Sequence, residues 1–195
     1  MQPKIKDTEM YQTLNLPGET VQGLFPTLEW FNAFAKHIDF KDKTILDVGC
    51  ASCSYGIEAL KLGASYYYGV ENDPKMISLS NEAMVKNSFT YKAEIAMSSA
   101  ECFASEKTYD VVIFSMIMHW LNDAEKHVKR IADMSTNHIV FLYRYQWPDG
   151  TEHGYRPTIE ELNALLDLKP IHTEVLRKDK ESGQYQMLVI YDKNL

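Results

Sequence analysis

Two acidic residues give the first chemical lead. Asp47 sits in the apolar run Thr44-Ile45-Leu46-Asp47-Val48-Gly49, and Glu71 follows the β-rich run Tyr66–Val70, 24 residues further on. Both runs read as buried strands, so both carboxylates fall near carboxyl ends, where open α/β sheets hold their ligands. Between them, Gly49-Cys50-Ala51-Ser52 is a stretch of small residues entering a helical segment. Such a stretch lets a ligand approach the backbone closely. A carboxylate at this place repels a pyrophosphate and attracts a ligand carrying an ammonium or sulfonium group. The acid after the second strand is placed to accept both hydroxyls of a ribose. The early acid, with no GxGxxG in the loop, argues against a nicotinamide dinucleotide.

The elements around these acids alternate. Ser54–Leu62 reads as a helix stopped by Gly63. Asp73-Pro74 caps and opens a helix running to about Asn87. Strands are expected at Glu94–Met97, Tyr109–Ser115 and His138–Tyr143, and a helix at Asp123–Met134. Thr158, with Glu161 three positions on, starts a helix with a capping box. His172–Arg177 and Gln184–Tyr191 are strands joined by the turn Lys178–Gly183, so they run antiparallel. The predicted fold is α/β: a doubly wound, mostly parallel, seven-stranded sheet with one antiparallel strand near the edge. Residues 1–40 are expected to form an N-terminal helical lid or extension, and 41–195 the ligand-binding domain. In the leader, Thr27–Ile38 reads as a helix with Thr27 as N-cap and Trp30, Phe31, Phe34 and Ile38 on one face.

Asp47-Val48-Gly49-Cys50-Ala51-Ser52, Val70-Glu71, Ser99-Ala100-Glu101 and Tyr109-Asp110-Val111-Val112 resemble the successive motifs of the class I S-adenosylmethionine (SAM)-dependent methyltransferases. The resemblance implies SAM as cofactor and S-adenosylhomocysteine (SAH) as product. It implies a donor site drawn from Asp47, Gly49, Cys50, Ala51, Glu71, Asn72, Ser99, Ala100 and Ser115. In that family the loop cradles the methionine part, the second-strand acid holds the ribose, and residues after the third strand meet adenine. The family's loop usually reads Asp-x-Gly-x-Gly-x-Gly; here Ala51 and Cys53 replace the second and third glycines. Ala51 fits such a loop if its φ stays below zero. Ser99 stands where the family often has Asp.

The stretch Phe114–Trp120 borders the methyl group and the acceptor in this family. His119, whose ordinary pKa is near neutral, is the candidate general base; packing beneath Trp120 is its structural alternative. The Asn/Asp-Pro-Pro-Tyr/Phe motif of DNA and glutamine amino-group methylases is absent, as is a Pro-Cys nucleophile. Tyr143-Arg144-Tyr145-Gln146-Trp147 resembles a pocket wall, with Arg144 suited to clamp a carboxylate or phosphate and the aromatics equally suited to cage a cation; a surface loop of snorkelling side chains is the structural alternative. The leader, with Tyr11, Gln12, Phe25 and Trp30, is expected to fold over the site. The expected acceptor-binding set is therefore Tyr11, Trp30, Trp120, Tyr143, Arg144 and Tyr145.

Composition narrows the partners. The chain has 195 residues and a net charge of −7, with 20 Lys and Arg against 27 Asp and Glu. Scattered basic residues disfavour nucleic acid. No apolar run approaches the roughly 20 residues of a membrane span, and no apolar leader follows the N-terminus, so a cytoplasmic location and no membrane partner are expected. Cys50 and Cys53 form a CxxC, but no second CxxC or paired His supports a metal site. Without an inserted domain, the expected acceptor is a small molecule offering an O, N or S nucleophile. The alternatives are an RNA (tRNA) or protein methyltransferase, or a non-catalytic SAM-binding module. Oligomeric state is left open.

Overall fold

A computed structural model describes residues 10–145, 154–178 and 185–195. The Lys178–Gly183 turn and the Gln146-Trp147 part of the aromatic wall lie outside the described residues, apart from Lys178 itself. Two compact units divide the chain, Met1–Ser99 and Ala100–Leu195.

In the first unit, a hairpin of β1 (Leu14–Leu16) and β2 (Glu19–Val21) precedes α1 (Thr27–Ala35). Pro17-Gly18 makes its turn, with Gly18 at φ +81°. Three-residue strands are too short to register as a period-2 pattern, and the sequence reading contained neither. Helix α1 buries Trp30, Phe31 and Phe34 on one face as expected, but it ends three residues before Ile38. Thr27 is not its N-cap. Pro26 holds that position without a side-chain bond, and the Thr27 hydroxyl instead donates to Thr13 O and accepts from Thr13 N. A partner fourteen residues away outcompetes the local cap.

Strands β3 (Thr44–Val48), β4 (Tyr66–Glu71) and β5 (Ala93–Met97) pair in parallel, with Val48 opposite Val70 and Glu71 opposite Met97. Helix α2 (Ser54–Lys61) lies against β4 through Gly56. A methyl group there would come within 2.4 Å of the Tyr67 ring. Helix α3 (Pro74–Lys86) starts as predicted, with Asp73 Oδ1 accepting from Lys75 N at 2.8 Å.

In the second unit, β6 (Tyr109–Ser115) pairs in parallel with β7 (Ser135–Tyr145), α4 (Ala124–Ala132) connecting them. Helix α4 buries Val128 and Ile131 and exposes Glu125 and Lys126, which is how a helix covers one face of a sheet. Helix α5 (Ile159–Leu166) carries the predicted capping box, with bonds in both directions between Thr158 and Glu161. Strands β8 (Pro170–Lys178) and β9 (Tyr185–Asp192) follow. β9 runs antiparallel to both β7 and β8. The strand order is β5-β4-β3-β6-β7-β9-β8, the seven-stranded, mainly parallel sheet expected, with the reversed strand second from one edge. No helix among the described residues is long and apolar enough to cross a membrane.

Candidate functional site

The carboxyl ends of β3 and β4 build a tight loop. Gly49 N and Cys50 N both donate to Val70 O, at 2.8 and 3.1 Å, and Cys53 N donates back to Cys50 O at 2.9 Å. This reversal forces Gly49, Ala51 and Cys53 to positive φ, 72°, 47° and 61°. The condition set for Ala51, φ below zero, is therefore not met. Two side-chain-bearing residues hold a conformation that costs about 1–2 kcal/mol each and that glycine adopts freely. Cys50 is fully buried, its Sγ in the space left by Gly69, where a methyl group would come within 2.7 Å. Its N–H and C=O are both engaged internally, so Cys50 shapes the loop from beneath. Its Sγ lies 3.6 Å from Cys53 Sγ, and the hydrogen bond with that thiol, together with burial, pushes the Cys50 pKa up, so Cys50 presents no reactive thiolate.

Glu71 ties this loop to the start of α3. Its Oε2 accepts from Ala51 N at 2.9 Å, and its Oε1 from Asn72 N and Asp73 N at 2.8 and 2.9 Å. Three of about four acceptor positions of a carboxylate are thus taken. One remains open, so the expected grip on two ribose hydroxyls would require release of a backbone N–H. Ser80 Oγ donates to Ala51 O at 2.7 Å from the α3 side.

Asp47 is fully buried. Its Oδ2 accepts from the Tyr67 hydroxyl at 2.9 Å, whereas Oδ1 is buried with no hydrogen-bond partner among the described residues. Burial raises its pKa to about 7; the Tyr67 bond opposes this rise and the nearby Glu71 charge adds to it. An acid poised there, with one acceptor unsatisfied beneath a small-residue loop, fits a cationic ligand, whose charge would favour the ionised form. Asn72 is exposed beside Glu71. Of the expected donor residues, Asp47, Gly49, Cys50, Ala51, Glu71 and Asn72 come together here; Ser99 closes this unit after β5.

The leader reaches the same loop through Gln12, whose side chain is bonded to Ser52 and Ser54. Tyr11 packs against Phe25 with the rings tilted and their centroids 4.5 Å apart, and Phe25 meets Trp30. Trp30 is only 4% exposed. Its assignment to acceptor contact is corrected: it is a core residue of α1, on the face its own helical spacing predicts.

In the second unit, Ala100 is buried and its carbonyl accepts from Arg130 Nη2 at 2.8 Å; Arg130 also donates to Phe103 O. Ser115 ends β6, and Met116 follows at φ +56°. His119 and Trp120 sit on a single 3-10 turn, Met118–Trp120, with ring centroids 4.9 Å apart; Trp120 is 74% exposed. The His119 pKa falls to about 4, chiefly through burial and further through Arg156 and Arg144. Gly154, at φ +74°, packs onto the His119 carbonyl so closely that any side chain there would collide with it. Tyr143 is buried in β7, and burial pushes its hydroxyl pKa well up; like Trp30, it is a core residue, and its assignment to acceptor contact is corrected. Arg144 and Tyr145 are half-buried. Arg156 and Gly154 were missed by the sequence reading. They lie more than thirty residues beyond His119, and only folding reveals that neighbourhood.

Solved structures with the same fold include SAM-dependent methyltransferases. One from Mesorhizobium loti superposes with a TM-score of 0.69 at 14% identity, covering 85% of this chain and 97% of that one. Magnesium protoporphyrin IX methyltransferase from Synechocystis, crystallised with SAM, superposes with a TM-score of 0.65 at 14% identity, covering 85% and 76%. The fold is that of the class I SAM-dependent methyltransferases. Residues 26–140 match the family described as Ribosomal protein L11 methyltransferase (PrmA), and the chain belongs to that family. The relative from Xanthomonas axonopodis pv. citri is 29% identical over 141 residues, 72% of this chain and 45% of its own length. The relative from Haemophilus influenzae is 33% identical over 99 residues, 49% of this chain and 31% of its own. The chain thus spans about a third to a half of the curated relatives it matches. Both relatives are named for methylation of a ribosomal protein, and this overturns the expectation of a small-molecule acceptor. That expectation rested on the lack of an inserted domain, a feature that does not determine acceptor size.

Proposed function

We propose that this chain transfers a methyl group from SAM to a nucleophile on a protein, a ribosomal protein being the first candidate. The observation that carries the donor half is the Asp47–Glu71 pair flanking a small-residue loop. The acceptor half rests on the names of the family members. A cytoplasmic location accords with such an acceptor. In this reading Glu71 holds the ribose, the carboxylate of Asp47 answers the positive charge of the donor, and the backbone of Gly49–Ala51 lies along the methionine part. Bound SAM supplies a methyl group already activated by its sulfonium, so the protein chiefly aligns partners and excludes water. His119 is neutral above about pH 4 and can take a proton from the acceptor nucleophile through its free ring nitrogen lone pair. Arg144 and Tyr145 orient the acceptor.

The test is incubation of the full chain with methyl-tritiated SAM and ribosomal proteins stripped from ribosomes. Label is expected in a protein band and not in the small-molecule or RNA fractions. Label confined to either of those fractions refutes the acceptor reading, and failure to bind SAM refutes the donor reading.

A further inference from the structure

The loop that Glu71 holds on one side is held on the other by the leader, and the residue responsible is Gln12. Its side chain is 3% exposed. Gln12 Oε1 accepts from Ser52 N at 3.1 Å, Ser52 Oγ at 3.0 Å and Ser54 N at 3.1 Å. Helix α2 needs such an acceptor. The first N–H groups of any helix have no partner within it, and the N-cap of α2, Cys53, is left-handed and makes no side-chain cap bond. A side chain forty residues earlier in the chain fills the place of the missing cap.

Gln12 is itself fixed from behind. Leu24 N donates to Met10 O and Phe25 N to Tyr11 O, and Gly23 approaches so closely that a methyl group would lie 2.3 Å from the Gln12 carbonyl carbon. Next to it, Thr13 O accepts from Ser54 Oγ at 2.7 Å and from Thr27 Oγ1 at 3.1 Å. The carboxamide therefore reaches the loop from a rigid mount. Between Gln12 and Glu71 the chain carries Ala51 and Cys53 at positive φ, a shape that an unrestrained loop without these glycines would leave.

We infer that Gln12 is a positioning residue for the SAM site: it holds Ala51–Ser54 in the donor-binding shape that glycines would otherwise permit. Gln12 lies outside the matched family stretch, residues 26–140, so the leader supplies a part of the donor site. The inference rests on reading this loop as the donor cradle. Without the Gln12 oxygen the loop relaxes, Glu71 loses its Ala51 N–H partner, and binding must restore both, which lowers affinity.

The full chain is compared with Gln12→Met, which keeps length and loses the acceptor, and Gln12→Glu, which keeps an acceptor oxygen. Calorimetry with SAM and with SAH is expected to show about tenfold weaker binding for Gln12→Met, the equivalent of one neutral hydrogen bond. Gln12→Glu is expected within about threefold of the unaltered chain, since its carboxylate keeps an acceptor oxygen for Ser52 and Ser54. A folded Gln12→Met that binds within twofold overturns the inference, as does a Gln12→Glu no better than Gln12→Met. Should Gln12→Met fail to fold, amide exchange decides: slow exchange at Ser52 and Ser54 in the unaltered chain and in Gln12→Glu supports the inference, and fast exchange in the unaltered chain overturns it. If the unaltered chain binds neither SAM nor SAH, the donor-cradle reading falls, and this inference falls with it.

Discussion

In the proposed reading, the buried acid at position 47 makes SAM affinity a function of pH. In the ligand-free protein Asp47 titrates near 7 because its charged form is cut off from water. A cationic donor favours the ionised form, so binding below that pH must release a proton. If only the ionised form binds well, the apparent dissociation constant carries the factor 1 + 10^(7 − pH). That is about 100-fold weaker binding at pH 5 than at pH 8, or about 2.7 kcal/mol at 1.36 kcal/mol per unit. SAM's own amino group stays protonated below about pH 7.7, and His119, with a pKa of about 4, is neutral throughout. The window from pH 5 to 7 therefore reports Asp47. The assay is calorimetry of SAM binding across pH 5–8 in buffers of contrasting ionisation enthalpy, which counts the protons released. Asp47→Asn, which keeps an acceptor for Tyr67 and cannot ionise, is expected to flatten the profile. The same shift fixes the stability profile of the unliganded chain. An acid with a raised folded pKa loses stability as pH climbs from about 4 to about 7, so the free protein should melt lower at pH 8 than at pH 5, and Asp47→Asn should reduce that difference. A SAM affinity that changes less than threefold from pH 5 to 8, or proton uptake instead of release, refutes the reasoning.

Glu71→Ala removes a carboxylate that orders Ala51, Asn72 and Asp73, and SAM binding should weaken by roughly 1–3 kcal/mol; an unchanged calorimetric constant would count against its role. Ala51→Gly relieves a left-handed non-glycine and, net of the added unfolded-state freedom, should raise stability by about 0.5–1 kcal/mol, seen as a higher melting temperature. His119→Gln should cut turnover by about 10²–10⁴-fold with SAM affinity intact, if the imidazole carries the proton. In the unaltered enzyme, turnover at saturating SAM should show no break near pH 6.5, since His119 becomes protonated only near pH 4; a bell centred on 6.5 would show that burial has not lowered its pKa.

Much of this architecture is written in local chemistry. Asp73-Pro74 and Thr158 with Glu161 announce their helices because capping is satisfied within three residues. Tyr109–Ser115 is legible as a strand because it is apolar throughout. Position and identity of the two acids also follow from spacing. What escapes is long-range. Thr27 is offered a local cap and takes Thr13 instead. Ala51 carries no sign of its left-handed φ, which the Val70 carbonyl imposes through its two neighbours in the loop. Arg156 bears on His119 across more than thirty residues of chain. Trp30 has the composition of a pocket residue and the helical phase of a core residue, and phase wins.

The contact between Gly56 and Tyr67 has a consequence for the acid it flanks. A helix residue without a side chain leaves room for a phenol ring to lie against α2, and from there its hydroxyl reaches Asp47. The strength of the acid is thus tuned by an empty space on a neighbouring helix. Gly56→Ala would displace the ring, withdraw the one bond that holds the Asp47 pKa down, and move the midpoint of the SAM-binding titration toward more alkaline pH. A single methyl group, touching neither acid nor ligand, would then decide the acidity at which this protein can capture its donor.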